Sequence, residues 1–226
     1  MVSRREPQVM GLVRTQDLSV SWISESGMKD TNTDRVCILT MANGQVRLTM
    51  QSETLNLKGM RLTKGHVCVF ALFEECGPGS DEAADKASEM FMNMVMTYDI
   101  SKKPAKDVLK KCLSKVNKEI SKEIKDARYK ASIAAFAAKD LTVCSLNGGR
   151  MFIVSDDGKV NEFTAPEMLI LPIGAGWRDV MLISDGYPIA ANEVKDDMRS
   201  PVGDLITKRD MRALPDASSM IRVQRL

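Results

Sequence analysis

One histidine, no Cys-x-x-Cys pair and no apolar run of membrane-spanning length narrow the chemistry open to this chain. With a single imidazole and no paired thiols, a structural zinc site has too few ligands. The five cysteines (Cys37, Cys68, Cys76, Cys112, Cys144) are odd in number, widely spaced and mostly set inside apolar runs. That pattern fits reduced core thiols of a cytosolic protein better than a disulfide framework. Cys76, between Glu75 and Gly77, is the thiol expected to reach solvent. No histidine or cation stands near it in sequence to activate it. Charge of one sign is lacking too. Lys and Arg number 32 against 30 acids, a net +2, so no strong field selects nucleic acid or a membrane surface, and neither partner is expected. Residues 1–8 are charged, carry no apolar signal segment and are expected to fray, which makes a cytoplasmic location the expectation.

What is present is enough apolar material for a core: 44% of 226 residues, expected to fold as a single domain over 1–226. Short alternating segments predict strands over 9–13, 18–23, 36–41 and 45–50, the last two joined by Ala42-Asn43-Gly44. Residues 51–64 are polar and read as a loop or a weak hairpin. Helices are predicted over 81–98 and 106–127, the second carrying Val108, Leu109, Cys112, Leu113, Val116, Ile120 and Ile124 at helical spacing. Strands follow over 132–138, 141–146, 150–155, 159–163, 179–184 and 219–226, with short helices over 192–195 and 202–212. Strands, a helix pair and strands again describe an α+β sandwich rather than alternating βαβ units.

One stretch organises the rest. Val67 to Phe73 is an apolar strand that stops at Glu74-Glu75, turns through Gly77-Pro78-Gly79 and opens an acid-led helix at Ser80 or Asp81. Met181-Leu182-Ile183-Ser184-Asp185-Gly186 is a second apolar strand ending on an acid and a glycine. Each can be a plain joint with solvated acids. Side by side, the two would bring Glu74 and Asp185 together, and paired carboxylates hold hard divalent ions.

The order of the pieces resembles the metal-dependent protein phosphatase family, the type 2C serine/threonine phosphatases. Gly27 to Arg35 is similar to the family's first motif, a glycine and an arginine followed by Glu-Asp. Val69 to Ala84 resembles its Val-Phe-Asp-Gly-His-Gly-Gly motif, and Ala131-Ser132-Ile133-Ala134 its Gly-Ser-Thr-Ala. Cys144 to Arg150 stands where the family has Ala-Asn-x-Gly-Asp-Ser-Arg, Val180 to Gly186 where it has the late Ser-Asp-Gly, and Asp216 to Val223 where it has the closing Asp-Asn and final strand. The resemblance implies two stacked antiparallel sheets flanked by helices, an α/β/β/α sandwich. It is a reduced one, because the chain between Thr164 and Asp179 is too short for the family's flap.

Carried over residue by residue, the resemblance implies a worn site. Asp34, Asp185 and Asp216 are kept as remnants of the metal site. Glu74 replaces the bridging aspartate and is one methylene longer. Lys29 stands for the phosphate-binding arginine without its bidentate fork. Thr33 replaces a glutamate, Glu75 a glycine, Cys76 a histidine, and Gly148 the aspartate of a third metal. Magnesium demands near-octahedral geometry, so no cofactor is expected, or at most one weakly held Mg or Mn ion. The implied function is a catalytically impaired or inactive phosphatase-like domain that binds a protein partner as a scaffold or regulator. The alternative is a divergent active phosphatase that cleaves phosphoserine or phosphothreonine with a metal-activated water. Asp34, Glu74, Asp185 and Asp216 are expected to meet at one edge of the sheets. Trp177, after Gly174-Ala175-Gly176, is expected at the surface as a partner anchor.

Overall fold

The computed structural model describes residues 9–15, 17–25, 32–42, 45–50, 53–57, 67–76, 81–98, 100, 103–124, 128–137, 140–185, 189, 193–194 and 217–226. In chain order the elements are β1 (Val9–Arg14), β2 (Leu18–Glu25), β3 (Arg35–Ala42), β4 (Gln45–Met50), β5 (Glu53–Leu57) and β6 (Val67–Glu75). Helices α1 (Asp81–Thr97) and α2 (Ala105–Glu123) follow. Then come β7 (Tyr129–Ala137), β8 (Asp140–Leu146), β9 (Arg150–Ser155), β10 (Val160–Phe163), β11 (Leu169–Gly174), β12 (Trp177–Ile183) and β13 (Ser218–Arg225). The strands form two antiparallel sheets, one ordered β1-β2-β13-β12-β9-β10 and the other β11-β8-β7-β6-β3-β4-β5. The expected α+β sandwich of two stacked sheets is the fold observed.

Alternation along β6 shows how the layers are built. Cys68, Phe70 and Leu72 face the six-stranded sheet and join the core between the sheets. Val69, Ala71 and Phe73 face the other way, into a core shared with the helices. A strand buried on both faces reads as an unbroken apolar run, which is the form Val67 to Phe73 takes. Helix α1 lies on β6 and β3, while α2 reaches β8 and β11, and the two helices pack on each other. Each presents one apolar stripe, Ala84, Ala87, Phe91 and Val95 on α1 and Leu109, Cys112, Leu113 and Val116 on α2, all at 0% exposure. Burying a large side chain of this kind contributes about 1.5–3 kcal/mol, so the helix pair is held mainly by its stripe rather than by helix propensity. The helical segment expected over 202–212 lies outside the described residues.

No disulfide joins any of the five cysteines, four of which are buried while Cys76 is partly exposed. Burial pushes the Cys37, Cys68 and Cys144 thiols up to about 12, so these groups are inert packing material.

Of the two alternatives for residues 51–64, the hairpin is the nearer: β5 pairs antiparallel with β4 from Met50↔Glu53 to Val46↔Leu57. One local expectation is corrected. Trp177 is not at the surface. It is wholly buried between the sheets, its ring edge-on to Phe136 at 5.8 Å between centroids. The cause is a bulge. The β12–β9 register shifts between Trp177 and Asp179, and the extra residue turns Trp177 to the inner face, which it shares with Val180 and Leu182. The preceding Ala175 and Gly176 are exposed, so the change from surface to core falls at Trp177 itself.

Between β10 and β12 the chain inserts only β11, an edge strand paired with β8. No flap is present. Ile170 points inward, while Leu169 and Leu171 are about two-fifths exposed at 40% and 39%.

Candidate functional site

The period of two that builds the core also builds the site. Glu74 follows Leu72 on the inner face of β6, and Asp34 precedes Val36 on the inner face of β3. Both acids are carried to the same end of the sandwich and are almost fully buried, Asp34 at 3% and Glu74 at 2% exposure. Across the gap, β12 ends at Ile183, and Asp185 follows two residues later, after Ser184. Glu74 Oε2 accepts a hydrogen bond from the Asp185 backbone N–H at 2.9 Å, which ties the two sheets together at this end.

Polar contacts fix the segment before β3. The Asp34 N–H donates to Asn32 Oδ1 at 3.1 Å, and Asn32 Nδ2 donates to Ser24 Oγ at 2.7 Å. Ser24 Oγ shares a hydrogen bond with Ser219 Oγ, and the Ser219 N–H donates to Ser184 Oγ. Arg35 donates from Nη1 to the carbonyls of Asn32 and Asp34 and from Nε to Asp85 on α1 at 2.7 Å. The backbone at Asp34 is therefore fixed by its neighbours Asn32, anchored on β2, and Arg35, anchored on α1.

One group in the site escaped the sequence analysis. Lys130 is the cross-strand partner of Glu74 in the β6–β7 ladder, so both side chains leave the sheet on the same face. Its ammonium donates to Asp185 Oδ2 and forms an ion pair with that carboxylate, the lysine side chain being 22% exposed and the aspartate 63%. Burial opposes the charge on Lys130, but the Asp185 hydrogen bond and the charges of Asp185 and Glu74 outweigh it and raise its pKa. Glu74 is pushed well above the ordinary carboxylate value, first by burial and next by the Asp34 charge. The Asp185 N–H and Lys130 offset this only in part.

The remaining positions divide. Thr33 is buried, and its Oγ1 has no hydrogen-bond partner among the described residues. Glu75 pairs with Tyr129, and alternation puts its Cβ on the helix-facing side, away from Glu74. Cys76, partly exposed, follows at the end of β6 within electrostatic reach of Lys130. Gly148 lies in the β8–β9 turn with φ +90° and donates its N–H to the Ala165 carbonyl. Next to it, a Cβ on Gly149 would fall 2.1 Å from the Ala131 carbonyl oxygen, so only glycine fits against β7 there. Lys29 and Asp216 lie outside the described residues.

Two stacked antiparallel sheets of this order with the helix pair on one face are the fold of the PPM serine/threonine phosphatases. Among solved structures, the serine/threonine phosphatase Stp1 from Staphylococcus aureus matches with a TM-score of 0.67 at 12% identity, covering 94% of this chain and 98% of that one. The catalytic domain of the serine/threonine phosphatase PstP, solved with two manganese ions, matches at 0.61 and 15% identity over 93% and 99%. RsbX, solved with magnesium, matches at 0.61 and 13% identity over 96% and 100%. No family model matches the sequence, and no curated relative does.

Whether the residues suit the divalent ions this fold implies can be tested on the donor set. Magnesium and manganese take several hard oxygens in near-octahedral array. Here one Glu74 oxygen is engaged by a backbone N–H, and the Asp185 carboxylate carries an ammonium. Among the described residues, no three acids, histidines or cysteines are grouped so as to hold an ion. As placed, these residues do not fit a pair of divalent ions.

Proposed function

We propose that the chain is a phosphatase-like module with impaired or lost metal-dependent hydrolysis, acting by binding a protein partner as a scaffold or regulator. The observation that carries this reading is the Lys130 ammonium on Asp185, in a site where catalysis would require a divalent ion and its bound water. The near-neutral charge of the chain favours a protein over nucleic acid or a membrane surface as the partner. Trp177, buried in the core, is withdrawn as the anchor.

The expected result is no hydrolysis of p-nitrophenyl phosphate or of a phosphothreonine peptide above background with Mn²⁺ or Mg²⁺. A second reading, an active divergent phosphatase, is favoured by the convergence of Asp34, Glu74 and Asp185 at one end of the sheets. Turnover that needs Mn²⁺ and disappears in Asp185→Asn would establish that second reading and remove the first.

A further inference from the structure

We propose that Lys130 is the resident cation of this site, its ammonium paired with Asp185 beside the buried Glu74 where the fold otherwise uses a divalent ion. This deepens the inactive reading above and rests on it.

The argument starts from register. Because Glu74 and Lys130 are directly opposed in the two central strands, the lysine stem rises beside the buried acid and its head reaches Asp185 across the gap between the sheets. An ammonium needs no octahedral shell. It donates up to three N–H bonds on a flexible stem, so it tolerates a carboxylate one methylene longer than a metal bridge would allow. Glu74 supplies an independent sign that a cation belongs here. Its Oε1 is buried at 2% residue exposure with no hydrogen-bond partner among the described residues, while Oε2 is bonded to the Asp185 N–H. An acid in this state stays ionised only with positive charge close by, and the described residue placed to supply that charge is Lys130.

The prediction is a trade between lysine and metal. In the wild type, Mn²⁺ should leave the melting temperature unchanged. In Lys130→Met, which keeps the apolar stem and removes the charge, Mn²⁺ should raise it by about 5–10 °C at a hundredfold excess over its Kd. Adding Asp185→Asn should abolish the rise. A wild-type Mn²⁺ shift as large as that of Lys130→Met would overturn the proposal, as would a folded Lys130→Met with no shift. Should Lys130→Met fail to fold, the wild type still decides. Its Nζ protons should give a slowly exchanging NMR signal that Asp185→Asn removes, and exchange as fast as that of a free lysine refutes the assignment. Failure here and failure of the inactive reading are separable. Wild-type Mn²⁺ binding without turnover sinks only this inference, whereas Mn²⁺-dependent turnover sinks both.

Discussion

Replacing Trp177 with alanine is expected to cost about 3–5 kcal/mol of folding stability, the range for emptying a buried aromatic site. The ring has 0% exposure, lies between the sheets and meets Phe136 edge-on at an interplanar angle of 75°. Removing it leaves a void that the two sheets cannot close, because β12 is pinned on both sides by β9 and β13. Trp177→Phe should cost much less. The indole N–H has no hydrogen-bond partner among the described residues, so deleting it abandons no bond, and most of the apolar contact remains. Urea melts of the two variants check this. A loss below about 1 kcal/mol for the alanine variant would mean that the ring is not core.

Glu74→Gln is expected to act in the opposite direction. Burial and the Asp34 charge hold the Glu74 carboxyl well above its ordinary 4.5. A carboxyl raised in this way binds its proton more tightly in the folded state than in the unfolded one. Its favourable contribution is complete below the unfolded value of about 4.5 and is lost as pH climbs from there through the raised folded value. Above that window the buried carboxylate is a standing cost, which Lys130 reduces without cancelling. The amide keeps a carbonyl oxygen for the Asp185 N–H and carries no charge. The variant should therefore be more stable than wild type at pH 8, and the gain should shrink to nearly nothing at pH 4. Thermal melts at the two pH values measure it. A variant less stable than wild type at pH 8 would show that the carboxylate is held favourably and that this account of the site is wrong.

The sequence makes some parts of this structure plain and hides others for identifiable reasons. The helices were legible because their apolar positions recur at helical spacing over many turns, as Leu109, Cys112, Leu113 and Val116 do. The acid ends of β6 and β12 were legible because a long apolar run stops abruptly at Glu74 and at Asp185. Strand β5 was not, since Glu53 to Leu57 is short, polar and given its place by β4 beside it. Trp177 was misjudged because its place after Gly174-Ala175-Gly176 and before Arg178-Asp179 reads as a surface turn, whereas the strand starts at Trp177 and a one-residue bulge turns that ring inward. Lys130 was invisible for a different reason. On its own it is a lysine between Tyr129 and Ala131. Its role depends on facing a residue 56 positions earlier and pairing with one 55 positions later, and no local pattern carries that information.

The same pair has a bearing on how the chain finds its fold. Strands β6 and β7 lie at the centre of their sheet and are joined through two helices, so no tight turn sets their alignment. Both are buried on both faces, and a slide of two residues would still match apolar side chain to apolar side chain. The inward charges break that degeneracy. Any slip of β7 along β6 strands Glu74 without Lys130 and leaves an ammonium opposite Leu72 or off the end of the ladder. Electrostatics at the site thus serves as a ruler for the middle of the sheet, selecting one alignment among several that hydrophobicity alone would accept.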